Sequence, residues 1–481
     1  MTIPVSSTHA LAGANVLCNL SASNEIISKA NYRRNLVKDQ SAKCYAGYVY
    51  ASAGPSESSS DLVFSGHNLI CENGAILSET KTDKIIYGQI DLDHLNHDRL
   101  HYKTSMQDLF HVNYTTVEFT SKPIEEIEFN RYIDAYPFVP NNQDERIVRC
   151  LEILHIQAQG LATRLSKIHC KDVVIGISGG LDSTLALLVC HEAFKINNYD
   201  SKGIHAITMP GFGTTKRTKS NAQILMDLLH VSSEEISIVD GVNQHFKDIH
   251  HNPEVHNITY ENSQARERTQ ILMDLSNAYN AIVVGTGDLS ELALGWCTYN
   301  GDHMSMYAVN ASVPKTLVRY IVESVALKDE ILHDVLMDIC DTPVSPELLP
   351  PDKNGKIAQK TEEVLGSYDL HDFFLYQMLR HHDEPKKIYD LACVAFKDVE
   401  KEQLKRPSQH SIIVSLPNNL KETVCQMVLR LDLFVSHLEV IGECQATHQE
   451  IYGQNKWRKF SSPTFLILYP YYLKRYLQLH S

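Results

Sequence analysis

No stretch of 18 consecutive apolar residues occurs in this chain, so nothing in it reads as a membrane-spanning helix. Basic charge is in deficit: 44 Lys and Arg stand against 58 Asp and Glu, a net charge of −14. A general nucleic-acid binder normally carries the opposite balance, so that class is set aside. Eleven cysteines are present, but no two stand in C-x-x-C spacing. This argues for reduced, mostly buried thiols in a cytoplasmic protein rather than for disulfides or structural zinc. The first residues, Met1 to Ser7, hold neither a basic stretch nor an apolar core, so no secretory signal is expected in them. The 24 histidines are dispersed, and His250-His251 and His381-His382 read as loop residues rather than ligands.

What the chain does have is length for two or three domains and an ordinary α/β composition, 43% hydrophobic and 21% charged. Its organising stretch is Val173-Val-Ile-Gly-Ile-Ser-Gly-Gly-Leu-Asp-Ser-Thr184. A β-branched run predicts a buried strand, small residues predict a turn, and a helix should follow from Ser183 to about Phe194. Gly176, Ser178, Gly179 and Gly180 keep bulk out of the turn, so backbone N–H groups there can face an anion at a helix N-terminus. Ser178 and Ser183 add hydroxyls, and Asp182 adds a carboxylate where a phosphate-bound Mg²⁺ needs one. No Lys follows the second glycine, which excludes the Walker pattern. A lone Gly-Gly would as readily be an ordinary tight connection. The whole string S-G-G-L-D-S resembles the pyrophosphate loop of ATP pyrophosphatases, and that resemblance assigns Gly176, Ile177, Ser178, Gly179, Gly180, Leu181, Asp182 and Ser183 to ATP.

Around this stretch, strands are expected at Ala14–Leu20, Tyr45–Ala51 and Leu62–Cys71, with a charged helical segment over Glu25–Lys43. Pro123, Pro137 and Pro140 mark a link, and Arg146–Ile168 has the apolar stripe of an amphipathic helix. Further strands are expected at Gly203–Met209, Ile236–Val239 and from Ala281, alternating with helices at Thr214–Leu229 and from Gln264. That alternation implies a parallel sheet with helices on both faces. The segment from Ala281 to Trp296 repeats the strand, glycine turn and helix. Its turn should share the carboxyl edge of the sheet with the first one, bringing Thr286, Asp288 and Glu291 there.

Here the resemblance becomes specific. E-N-S-Q-A-R (Glu261 to Arg266), G-T-G-D-L-S-E-L-A-L-G-W (Gly285 to Trp296), T-Y-N-G-D-H-M (Thr298 to Met304) and Y-A-V-N-A-S-V-P-K-T (Tyr307 to Thr316) resemble the synthetase domain of glutamine-dependent NAD⁺ synthetases. The likeness runs from about residue 3 to about 400. It implies a doubly wound parallel-sheet ATP-pyrophosphatase domain, preceded by the later half of a nitrilase-like α/β sandwich. The division expected is 1–125 for the partial glutamine amidohydrolase domain, 126–145 for a linker, 146–404 for the synthetase domain and 405–481 for an aberrant tail.

The same resemblance implies a ligase that adenylates deamido-NAD⁺ with ATP and Mg²⁺, then amidates it with ammonia, releasing NAD⁺, AMP and pyrophosphate. Thr286 joins the ATP contacts, Asn262, Glu291 and Trp296 line the deamido-NAD⁺ site, and Asp182 with Glu291 holds the metal. Trp296, as a large aromatic at a helix end, is otherwise a core residue; Lys315, whose match to the family's V-P-K-T implies neutralisation of phosphate charge, is otherwise a surface lysine. In the first block, A-L-A-G-A-N-V-L-C-N-L-S-A-S (Ala10 to Ser23), Tyr32-Arg-Arg34, S-S-S-D-L-V-F-S-G (Ser58 to Gly66) and Glu72-Asn-Gly74 carry the amidohydrolase likeness. The Glu-Lys-Cys triad of that family lies upstream of the part matched, so none of its catalytic residues is expected here. Cys18 reads as a core residue, whereas Ser23 and Lys29 match glutamine-contacting positions. Family members form large homo-oligomers, which is the expectation for this chain too.

Beyond about residue 404 the likeness stops. Suitable codons for Val414 to His448, read one base earlier, spell the family's C-terminal signature, so the tail is expected to be out-of-frame translation. Two other readings stand beside the leading one: a catalytically inactive, truncated and frameshifted remnant, and another ATP pyrophosphatase such as a tRNA-thiolating enzyme. The last would need catalytic cysteines and a basic face.

Overall fold

In a computed structural model of the chain, the described residues are 4–57, 61–82, 84–101, 115, 117–120, 129–213, 216–342, 366–401 and 404. The expectations for the C-terminal tail, and for the helix start at Thr214, fall outside them. No helix among the described residues is long and apolar enough to cross a membrane.

The first block is a four-stranded sheet of β1 (Val16–Ser21), β2 (Gly47–Ser52), β3 (Asn68–Glu72) and β4 (Ala75–Thr80), adjacent in that order. β1 and β2 run parallel because α2 (Lys29–Cys44) carries the chain back between them; the other pairs are antiparallel. Helix α1 (Val5–Leu11) precedes the sheet. Leu17, Val37, Cys44, Tyr48, Leu69 and Cys71 form its small core. Strand structure in the Leu62–Cys71 run begins only at Asn68. The earlier apolar residues Leu62 and Val63 are exposed, and the backbone of Val63 accepts a hydrogen bond from Glu25 instead of joining the ladder.

Helix α3 (Leu92–His101) is locked to this sheet by Arg99. Its guanidinium donates to the carbonyls of Ala14, Cys44 and Tyr45 and to Asn15 Oδ1, at 2.6–2.9 Å. Five donors in a fixed fork suit such a cluster of loop carbonyls, which would otherwise be left unsatisfied.

Helix α4 (Gln143–Lys167) opens the second block, with Asn142 Oδ1 accepting from the Glu145 N–H as an N-cap. Then follow β5 (Val173–Gly176), α5 (Leu181–Asn197), β6 (Ile204–Thr208), α6 (Lys216–Leu228), β7 (Ser232–Glu235), α7 (Val239–Asp248), α8 (Ile258–Ala278), β8 (Ile282–Gly285), α9 (Leu289–Leu294) and β9 (Tyr307–Ala308). Helices α10 (Lys315–Ala326), α11 (His333–Cys340), α12 (Tyr368–Tyr376) and α13 (Pro385–Ala395) complete it. The sheet order is β7-β6-β5-β8-β9, all parallel.

Both faces of this sheet are covered. Val173 and Ile175 pack into the larger core with α4, α5 and α10, while Val174 and Ile207 face a second core with Phe246 and Tyr260. This is why the strands read as continuous β-branched runs. The third strand lies four residues earlier than the apolar pattern places it. β7 is an edge strand whose Ser232–Glu235 side chains are largely exposed, whereas Ile236 and Ile238, whose N–H groups donate to the Thr208 and Pro210 carbonyls, seal the second core at the start of α7.

The two blocks meet where α3 faces the turn and helix after α12. Lys387 Nζ donates to Asp91 Oδ2 and also pairs with Asp383 Oδ1, each at 2.7 Å. His381 Nδ1 lies 2.7 Å from His94 Nε2, which lies 3.5 Å from Asp98. Burial, then the neighbouring His94 and Lys387, push His381 down to about 3, with Asp91 opposing. An unfolded histidine titrates near 6.5, so between those values the unfolded chain binds a proton that the folded chain does not. Stability from this group is therefore full above about pH 6.5 and is lost as pH falls. Denaturant unfolding at pH 7, 6, 5 and 4 should show this loss, and His381→Gln should flatten its slope by up to about 1.4 kcal/mol per pH unit. Equal slopes in parent and variant would contradict the assignment.

Candidate functional site

β5 and β8 are neighbours in register, Val173 opposite Ile282 and Ile175 opposite Val284, so the turns that follow them emerge side by side. The sheet also reverses its order of growth between these strands, and such a switch point opens a crevice at the carboxyl edge. The first turn takes a left-handed residue at Gly179, φ 86°, where a side chain would be strained. Ser178 Oγ accepts from the Gly180 N–H at 3.2 Å and lies 3.2 Å from Ser183 Oγ, which donates to the Gly180 carbonyl. Gly180 is the N-cap of α5 and brings no side-chain acceptor, so the first amides of that helix have no cap from it.

The second turn ends at Asp288, the N-cap of α9, whose Oδ1 accepts from the Glu291 N–H at 2.9 Å. Asp182, Asp288 and Glu291 converge: one oxygen from each lies within 4.8 Å of the others. Lys315, first residue of α10, fills the space between them. Its Nζ donates to Asp182 Oδ2 at 2.9 Å and Glu291 Oε1 at 2.8 Å. It also lies 2.6 Å from Asp288 Oδ2, a buried ion pair. Lys315 is buried, so the surface-lysine alternative does not hold.

Burial, then Glu291, raises Asp288 well above the usual carboxylate range; burial, then Asp182, pushes Glu291 up to about 7. Burial disfavours the charge on Lys315, but the three carboxylates outweigh it and hold the ammonium well above its ordinary value. Asp182 Oδ1 is buried without a hydrogen-bond donor. Three convergent carboxylates, one with an undonated oxygen, fit a hard divalent cation, which takes oxygen ligands.

Several residues behind these turns went unassigned in the sequence. Asn310, fully buried, donates through one amide nitrogen to the carbonyls of Asp182 (2.9 Å) and Thr286 (3.1 Å), so it ties the two turns together. Gln157 of α4 donates to Asn310 Oδ1 and to the Val309 carbonyl. Asn310 lay in view inside Tyr307 to Thr316, but nothing local distinguishes an asparagine that bridges turns from one in a loop. Ser290 and Asp372 join in the same way, across 82 residues of sequence.

Asn262 Oδ1 accepts from Thr298 Oγ1 at 2.9 Å, which ties α8 to the loop following α9. Trp296 is half-buried and packs against Leu294 and Tyr368. Ser23 and Lys29 stand in the first block. Ser23 Oγ accepts from Arg33 and Lys29 Nζ donates to Asn24, beside an Arg33–Glu25–His67 network. Cys18 is exposed, which corrects its reading as a core residue: it lies on edge strand β1.

The fold and site together define a doubly wound α/β protein with a glycine turn and a lysine-neutralised acidic cage at its topological switch point. A family model described as NAD synthase matches residues 153–411, just over half of the chain, and the chain belongs to that family. It is similar to the glutamine-dependent NAD(+) synthetase of Mycobacterium leprae, 41% identical over 82% of this chain and 61% of the relative. The corresponding Mycobacterium bovis protein is 40% identical over 83% of this chain and 61% of the relative. Among solved structures, a glutamine-dependent NAD(+) synthetase from Cytophaga hutchinsonii aligns with a TM-score of 0.45 at 18% identity, covering 84% of this chain and 64% of that one. The chain thus spans about three fifths of the length of the curated relatives it matches.

Removing the cage cation should expose its electrostatic strain. Lys315→Met leaves Asp288 and its neighbours buried without a counter-charge, a change expected to lower stability by about 3–5 kcal/mol. In thermal unfolding with a chelator the variant should melt well below the parent. Millimolar Mg²⁺ should raise its melting temperature more than the parent's, because the ion binds only the folded state. An equal response in both proteins would refute this role for Lys315.

Proposed function

We propose that this chain carries the ATP-dependent half of NAD⁺ synthesis, joining ammonia to deamido-NAD⁺. The observation that carries the reading is the acidic cage at the end of β5 and β8, set beside the glycine turn in a chain of the NAD synthase family.

ATP lies with its phosphates on Gly176 to Ser183, using backbone N–H groups at the start of α5 and the hydroxyls of Ser178 and Ser183. Thr286 contacts the same nucleotide from the second turn. Asn262, Glu291 and Trp296 border the deamido-NAD⁺ site, with Trp296 offering a ring face beside Tyr368. Asp182, Glu291 and the added Asp288 hold Mg²⁺, which when bound neutralises charge on the phosphates. Lys315, released from the carboxylates, supplies a second positive charge to the departing pyrophosphate.

In the first step an oxygen of the nicotinate carboxylate bonds to the α-phosphorus. The bond to the β-phosphate's bridging oxygen breaks, and pyrophosphate leaves. In the second step ammonia bonds to the carboxyl carbon, loses a proton, and AMP leaves with its oxygen. Both steps depend on alignment and charge neutralisation more than on proton transfer by the protein. Ser23 and Lys29 are glutamine contacts of the amidohydrolase-like block, and the family's homo-oligomer is the assembly proposed here.

The thiolating alternative requires a reactive cysteine. Burial pushes Cys71 and Cys340 up to about 11 and Cys297 up to about 12, so these thiols stay protonated at neutral pH.

The test supplies ATP, Mg²⁺, deamido-NAD⁺ and either ammonium or glutamine, and measures NAD⁺ and AMP together. Ammonium should give the two products one to one. Asp182→Asn should lower that rate by about a hundredfold or more while leaving the circular dichroism and melting temperature close to the parent's. A parent without AMP-linked NAD⁺ would favour the inactive-remnant reading.

A further inference from the structure

Helix α10 begins with the residue that neutralises the acidic cage, yet it has no cap of its own. Its N-cap position is Pro314, which offers no side-chain acceptor. The first amides of a helix must find partners elsewhere. Here they find them on α12. Asp372, buried and more than fifty residues further along the chain, accepts through Oδ2 from the Thr316 N–H at 2.9 Å and from Thr316 Oγ1 at 2.7 Å. Its Oδ1 accepts from Ser290 Oγ, and Ser290 Oγ in turn accepts from the Lys315 N–H at 2.9 Å.

One carboxylate therefore satisfies two successive amides of α10, the second through a hydroxyl. A negative charge at that end also suits the helix dipole. Ser290 is buried and sits between Asp288 and Glu291 in α9, so the same carboxylate grips the backbone carrying two of the three cage carboxylates. The cage is thus assembled from α5, α9 and α10, and the last two are joined by a group on a fourth element.

We propose that Asp372 is a positioning residue for the adenylation site, acting as a remote N-cap for α10 that sets Lys315 against Asp288 and Glu291. It does not touch the reacting atoms; its effect passes through Ser290 and Thr316. The kinetic part of this inference rests on the proposed synthetase activity, whereas the capping geometry is read without turnover.

The decisive experiment compares the full chain with its Asp372→Asn variant by amide hydrogen exchange and by steady-state kinetics. Asparagine keeps the shape but turns one acceptor into a donor facing Ser290 or Thr316. Exchange should quicken in the peptides covering 288–291 and 314–318 and stay unchanged in β5 and β6. The kcat for pyrophosphate release should fall about ten- to hundredfold with little change in the KM for deamido-NAD⁺. Adding Pro314→Ser to Asp372→Asn gives α10 a local cap, so it should restore the melting temperature but not kcat. If it restores both, Asp372 is only a stabilising cap and the proposal fails.

Unchanged exchange at 288–291 and 314–318 would overturn the proposal whatever the activity. Should Asp372→Asn not fold, Ser290→Ala severs only the bridge to Lys315 and should reproduce the kcat loss and the faster exchange at 314–318; parent-like behaviour there also overturns it. A parent that exchanges as expected but makes no NAD⁺ would retire the synthetase reading and leave the capping result standing.

Discussion

Everything at the carboxyl edge of the second sheet turns on one charge balance: a single buried ammonium facing three carboxylates. Three acids brought together by two adjacent strands repel one another and resist burial, which is why Asp288 and Glu291 are held above their usual range. Lys315 relieves that repulsion only while α10 stays in place, so the helix behind the site is as much a part of it as the turns in front. With all three acids ionised, the cage is two positive charges short. That deficit is the physical reason for expecting a cation there, and it follows from the side chains alone.

The support around this balance is polar and largely buried. Gln157 with Asn310, and Ser290 with Asp372 and Thr316, form two groups of hydrogen bonds behind the two turns. Such networks are costly when incomplete and rigid when satisfied. Gln157 Oε1 remains without a partner in this backing. Its members come from α4, α9, α10, α12 and the loop before α10.

Much of the architecture was legible in the residues, for a clear physical reason. A strand buried on both faces must be apolar throughout, so Val173 to Gly176 and Ile282 to Gly285 stood out, and the glycine turns after them marked the carboxyl edge. Asp182 and Glu291 could be paired because parallel neighbours bring equivalent turns together. An edge strand obeys no such rule, and β7 was misplaced because Ser232 to Glu235 pair through backbone alone while Ile236 and Ile238 close a core. Cys18 failed similarly: alternation gave its strand but not its exposed position on the edge. Asp372, and the pairing of Lys315 with the three carboxylates, needed tertiary distance. The partners of Lys315 and Asp372 lie 24 to 133 residues away across the cage and its support, a separation at which local pattern carries no information.

The bond from Asn310 has a further meaning. Its two acceptors, the carbonyls of Asp182 and Thr286, hang from hydrogens on the same nitrogen, whose separation is fixed by covalent geometry. The gap between the two turns is therefore gauged by a chemical constant rather than by the compliance of packed side chains. Any opening of the crevice must first break one of those two bonds, so the turns can part only in a discrete step. The Asn310 amide is in effect a built-in ruler, and its side-chain nitrogen resonance would register the spacing of the site without a ligand.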